Sequence, residues 1–119
     1  MSDVPASGAR VLLVEDEPNM ARTLAKILER KGYDVAMAAN GQEALTELGE
    51  GPFQVVVTDL NMPVMDGMQL LRRLQGDSPP PAGERRLLSP PTIVLTGHGS
   101  TQAAVEAMKL GAWDYLVKP

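Results

Sequence analysis

The sequence has no cysteine and one histidine, His98. That excludes disulfides, thiolate catalysis and zinc sites built from cysteine or clustered histidine, and leaves oxygen as the donor for any metal. An excess of positive charge is also missing. Eleven basic against 15 acidic side chains give a formal charge of −4, which argues against direct nucleic-acid contact through phosphates. No apolar run approaches the ~20 residues of a membrane helix, and the opening MSDVPASGAR lacks the apolar stretch of a signal peptide. A cytoplasmic protein without membrane contact is therefore expected. What is present is a hydrophobic fraction of 44% over 119 residues, enough for one domain with one core and too much for disorder throughout.

Short apolar runs alternate with helical patterns along the chain. RVLLV (Arg10–Val14) reads as a strand buried on both faces. It is followed by an amphipathic helix over Pro18–Lys31 with Met20, Leu24, Ile27 and Leu28 at helical spacing and Gly32 as its cap. DVAMA (Asp34–Ala38) is a second strand, Asn40-Gly41 a turn and Gln42–Leu48 a short helix. Phe53–Thr58 is the third strand, ending at Asp59. A helix near Met68–Leu74 places Leu70, Leu71 and Leu74 on one face. Thr92–Thr96 is the fourth strand, and Ser100 can cap a helix to Leu110 with Val105 and Met108 inward. Asp114–Val117 is the fifth strand. The expectation is an α/β, doubly wound, five-stranded parallel sheet of order 2-1-3-4-5, flavodoxin-like. Residues 1–9 read as a disordered tail, residues 10–119 as the domain, and the proline-rich 76–91 as an inserted surface loop.

Ligands of such sheets bind beyond the C-terminal strand ends, where the strand order reverses. Glu15 and Asp16 follow the first strand and Asp59 the third, so three carboxylates converge although more than forty residues separate them in the chain. At ~4 Å two like charges repel by about 4 kcal/mol at an effective dielectric near 20, so a cation is expected between them. Carboxylate oxygens without nitrogen or sulfur select Mg²⁺. Thr96 ends the fourth strand and Lys118 follows the fifth, adding a hydroxyl and an ammonium. Metal, lysine and hydroxyl around a carboxylate suit a phosphoryl group moving onto that carboxylate, with Asp59 as nucleophile.

The blocks VLLVEDEP, VVVTDLNMPVMDG, IVLTGHG and AWDYLVKP, in this order over Arg10–Pro119, resemble the signatures of two-component response-regulator receiver domains. The wording of TGHGS and GAWDYLVKP is most similar to receivers of bacterial enhancer-binding transcription activators. The resemblance implies a regulatory domain, not a metabolic enzyme, that catalyses only its own phosphorylation and dephosphorylation. It implies Asp59 as phosphoacceptor from a phosphohistidine. Mg²⁺, or Mn²⁺, would be held by Asp16, by Asp59, by the Asn61 backbone carbonyl and by Glu15 through water. Thr96 and Lys118 would contact phosphoryl oxygens, Tyr115 would be an aromatic switch, and the Lys118-Pro119 bond would be cis. The implied partners are a sensor histidine kinase or phosphotransfer protein, an output domain in a longer chain regulating transcription, and a homodimer.

Plainer readings stand beside these. Acids after strands cap helices, Thr96 is a β-branched strand residue, Tyr115 a half-buried aromatic, and Lys118 a surface charge. His98 reads as a spectator, Met62, Met65 and Met68 as loop packing, and Arg72, Arg73, Arg85 and Arg86 as solvated surface. One rival is an aspartate-nucleophile phosphatase of haloacid dehalogenase type, which wants a second aspartate where Asn61 stands and its motif after the first strand. Another is a pseudo-receiver scaffold, which would need an incomplete pocket. Glu15-Asp16 replaces the commoner aspartate pair, and the 76–91 loop is longer than the family pattern. The chain stops where a fifth helix is expected, which would expose apolar surface on the first and third strands and along Leu24, Ile27 and Leu28.

Overall fold

The computed structural model describes residues 9–60, 65–75, 90–97 and 101–118. β1 (Arg10–Val14) leads through α1 (Pro18–Arg30) to β2 (Asp34–Ala38), and α2 (Gly41–Glu50) leads to β3 (Val55–Asp59). α3 (Gly67–Gln75), β4 (Thr92–Thr96), α4 (Thr101–Lys109) and β5 (Asp114–Val117) follow. All strand pairs are parallel, in the expected order β2-β1-β3-β4-β5. The tail 1–8, the loop 76–89, Ser100 and Pro119, with its expected cis bond, lie outside the described residues, as do Asn61, Met62, Arg85, Arg86 and His98. Ala9 is described, and its carbonyl accepts the Asp34 N–H at 2.9 Å.

Helix ends follow local chemistry. Gly32 and Gly111 take positive φ, 96° and 109°, where a side chain would be strained, and they close α1 and α4 as expected. Asn40-Gly41 is not a free turn. Asn40 Oδ1 accepts the Glu43 N–H at 2.9 Å and Glu43 Oε1 accepts the Ala39 N–H at 2.9 Å, so this pair starts α2, which runs from 41 to 50 rather than 42 to 48. β3 begins two residues later than expected, at Val55: the Gln54 side-chain oxygen takes the Arg10 N–H, and the buried Phe53 ring lies under the Arg10 guanidinium, 4.4 Å from its centroid.

Two clusters form the core on the face of α2, α3 and α4: Leu12, Val14, Val56 and Leu70 with Phe53, and Leu60, Leu71, Val94 and Ala107 with Ala112. Two expectations are corrected there and on the opposite face. In α4 the inward residues are Ala104 and Ala107, while Val105 and Met108 are 47% and 39% exposed, because alanine lets the helix lie close on the second cluster and turns the larger side chains outward. β1 carries no exposed apolar surface: Val11 and Leu13 are buried, because Ala21 and Ala25 let α1 settle onto the sheet. Leu24 and Leu28 are half-buried, as are Val55 and Val57 of β3, while Ile27 of α1 is exposed. A run of exposed apolar residues lies at the sheet edge, where Tyr115, Leu116 and Val117 of β5 are all exposed.

Candidate functional site

The parallel register dictates where the acids meet. Val14 pairs with Thr58, so Glu15 and Asp59 follow on neighbouring strands. Asp59 pairs with Leu95 and Thr96 with Val117, which puts Thr96 and Lys118 on the same rim. Glu15 and Asp59 are buried, Asp16 is exposed, and one carboxylate oxygen from each of the three lies within 4.8 Å of the others. The Lys118 ammonium sits 2.7 Å from Asp59 Oδ2 and 3.0 Å from Glu15 Oε1. The repulsion between the acids is thus answered first by a residue of the chain itself. Partial burial pulls the Lys118 pKa down, but the bonds and charges of Asp59 and Glu15 outweigh it and leave the pKa raised.

Each group is aimed by backbone. Glu15 donates its N–H to Ala38 O at 3.0 Å, and its Oε2 accepts the Glu17 N–H at 3.1 Å. Its buried Oε1 faces the ammonium without an aligned hydrogen bond. Glu17 caps α1 by accepting from Met20 N at 2.8 Å and Asn19 N at 3.1 Å, and these amides hold its carboxyl below the usual range. Lys118 N–H donates to Thr96 O at 2.7 Å, while the Thr96 hydroxyl donates to Leu116 O at a long 3.5 Å. Tyr115 is exposed, within β5 opposite Val94 and two positions short of the rim. A cleft of about 260 Å³ opens beside Glu15 and Asp16 towards Met37 and Ala38.

Four residues that the sequence reading left without a role organise the end of β3. Thr58 Oγ1 donates to the Asp59 carbonyl at 2.9 Å. Asp66 and Gln69 cap the start of α3 reciprocally, Gln69 N–H to Asp66 Oδ1 at 2.9 Å and Asp66 N–H to Gln69 Oε1 at 3.1 Å. Gly67 then lies against Asp59: a Cβ there would stand 2.2 Å from the Asp59 carbonyl oxygen. The Asp-Gly pair ahead of a helical pattern was the signal for it. Met65 and Met68 are partly buried, Met68 against the Leu60–Leu71 cluster, and Arg72 and Arg73 are exposed, as expected.

The donor set fits a small hard cation. At Mg²⁺–oxygen distances of ~2.1 Å two direct ligands stand at most ~4.2 Å apart, so oxygens spread over up to 4.8 Å suit direct ligands combined with one acting through water. The buried, incompletely bonded Glu15 Oε1 points the same way.

A doubly wound sheet with an acidic pocket at its switch point, closed by one lysine, belongs to the class of phosphoryl-regulated signalling domains that the sequence blocks resemble. Residues 11–119 match the response regulator receiver domain model, and the chain belongs to that family, the receiver module of two-component systems. The transcriptional regulatory protein ZraR of Klebsiella oxytoca is 37% identical over 109 residues, 92% of this chain and 23% of ZraR. The chain thus spans about a quarter of the length of such curated relatives. The Francisella response regulator 1452 receiver domain superposes with a TM-score of 0.80 at 31% identity, over 94% of this chain and 85% of that one. TrrA of Thermotoga maritima, solved in complex with Mg²⁺-BeF, gives 0.76 at 27% identity, over 93% and 87%. The phosphatase reading is not favoured by any of these.

Proposed function

We propose that Asp59 accepts a phosphoryl group from the phosphohistidine of a sensor histidine kinase or phosphotransfer protein. A carboxylate oxygen of Asp59 attacks phosphorus, the donor P–N bond breaks, and the imidazole leaves with the bonding pair. Lys118, 2.7 Å from Asp59 Oδ2, is placed to follow the charge onto a phosphoryl oxygen. Asp16, Asp59 and the Asn61 carbonyl would hold Mg²⁺ or Mn²⁺ directly and Glu15 through water. The ion supplies screening of the carboxylate and phosphoryl charge. The weak 3.5 Å bond of Thr96 to Leu116 O leaves its hydroxyl ready for a better acceptor, and a phosphoryl oxygen is one.

Phosphorylation adds a charge of about −1.5 to −2 and three acceptors, so Thr96 and Lys118 gain partners in one state only. Thr96 moving inward would open room for Tyr115 to turn in from its exposed position. The surface on which an output domain or a second copy would read the change is that of α4 and β5, where Val105, Met108 and Tyr115 are exposed. The output would be transcription regulation within a longer protein, whose length the shared fraction of ZraR supports, and that protein would be cytoplasmic. Among the described residues no helix is long and apolar enough to cross a membrane. The domain would act as a regulator, catalysing only its own phosphorylation and dephosphorylation.

The observation that carries this reading is the Lys118 ammonium shared between two buried strand-end carboxylates. Incubation with acetyl phosphate and Mg²⁺ followed by intact-mass measurement should show one added phosphoryl group, lost in Asp59→Asn and with EDTA. An adduct that persists in Asp59→Asn, or none in the parent chain, would overturn it.

A further inference from the structure

Asp59 leaves β3 into a loop that returns to α3 at Gly67, and the Gly67 N–H closes its neck on Leu60 O at 3.0 Å. One side of the neck is Asp59 itself, whose carbonyl takes the Thr58 hydroxyl and lies so close to Gly67 that no side chain fits there. The other side is held from a different element. Gly41, the first residue of α2, donates its N–H to Met65 O at 2.8 Å. A Cβ on Gly41 would stand 2.6 Å from Met65 Cγ, 2.9 Å from Met65 Cβ and 2.8 Å from Met65 O. Gly41 is not among the positive-φ glycines, so its backbone does not require glycine; the space does.

We infer that Gly41 is a positioning residue for the phosphoacceptor site: it lets α2 dock its first N–H on Met65 and so fixes the loop neck that aims Asp59. This inference rests on the phosphoacceptor reading above. A methyl group at 41 must push Met65 O by several tenths of an ångström, and displacement of that size behind a ligand set is enough to weaken metal binding and misplace a nucleophile. The same helix supplies a matched control: a Cβ on Gly49 meets nothing within 4 Å.

The test compares Gly41→Ala, Gly49→Ala and Gly41→Ala/Met65→Ala with the parent chain, measuring the acetyl phosphate adduct rate against Mg²⁺ concentration, with thermal melting alongside. Gly41→Ala should raise the half-saturating Mg²⁺ about tenfold, with its limiting rate less affected. Gly49→Ala should match the parent, and the double variant should recover part of the loss, since it removes the 2.6 Å contact. A merely structural role would lower the melting temperature and leave the half-saturating Mg²⁺ unchanged, which would overturn the inference while the phosphoacceptor reading stands. A Gly41→Ala chain too unstable to assay passes the decision to the double variant, whose half-saturating Mg²⁺ must then exceed that of Gly49→Ala. No adduct in the parent chain would overturn both.

Discussion

Lys118 and Asp59, 59 positions apart in the sequence, are joined by a 2.7 Å ion pair, and the same ammonium reaches Glu15 at 3.0 Å. Lys118 therefore serves two buried carboxylates at once.

Removing the lysine takes the ammonium away from both carboxylates. Lys118→Met should lower stability by about 2–3 kcal/mol, somewhat below the cost of breaking a fully buried pair because Lys118 keeps 23% of its side-chain exposure. Millimolar Mg²⁺ should recover part of the loss, since it substitutes for the missing charge. Asp59→Asn removes the excess negative charge instead and leaves Glu15 and Lys118 matched. In EDTA it should be at least as stable as the parent chain. Urea unfolding with and without Mg²⁺ reads all three comparisons.

The alkaline limb follows from the same contacts. The Lys118 pKa is raised in the folded state above its ordinary 10.5, so the stabilisation is complete below 10.5 and is lost as pH rises through the folded-state value. The difference in urea midpoint between the parent chain and Lys118→Met should hold from pH 7 to about 10 and narrow only above about 10.5. Narrowing near neutrality would mean that Lys118 does not carry the charge of this pair.

At the acid end the informative group is Glu17, whose carboxyl is held down by the amides of Met20 and Asn19 at the start of α1. A depressed carboxyl stabilises above its unfolded value of 4.5, and the contribution fades as pH falls through the folded value. The parent chain should be more stable than Glu17→Gln at pH 6–7, and the difference should shrink as pH falls below 4.5. Thermal melting of both across this range checks the narrowing.

The sheet order and the acid cluster were legible because buried parallel strands read as continuous apolar runs and their last residues all point to one rim. Arg10–Val14, Thr92–Thr96 and Asp114–Val117 came out residue for residue. The helices were less legible where alanine does the packing. Ala21, Ala25, Ala104 and Ala107 are buried by close approach to the sheet, which hydrophobic spacing does not reveal, because the pattern is drawn by the larger residues beside them. Two local contacts of the site were hidden: Gly67 against the Asp59 carbonyl and Gly41 against Met65 depend on how two loops meet in space, whereas an ammonium from Lys118 at this rim was legible because the expected strand order sets β5 next to β4.

The α4 correction can be tested directly, because the two registers give opposite outcomes. With Val105 and Met108 inward, replacing either by glutamine would bury an unpaired amide, costing about 2 kcal/mol or more. With the observed register both are exposed, and Val105→Gln or Met108→Gln should shift stability by no more than about 0.5 kcal/mol. Ala107 is fully buried against Leu60, Leu71 and Val94, so Ala107→Leu must push α4 off the sheet and should cost about 1–3 kcal/mol. Chemical unfolding of the three variants decides between the registers. The same set separates packing from signalling: the glutamine variants alter the exposed surface proposed to carry the phosphorylation readout, so they should keep the rate of adduct formation at Asp59 while weakening any partner that reads α4 and β5.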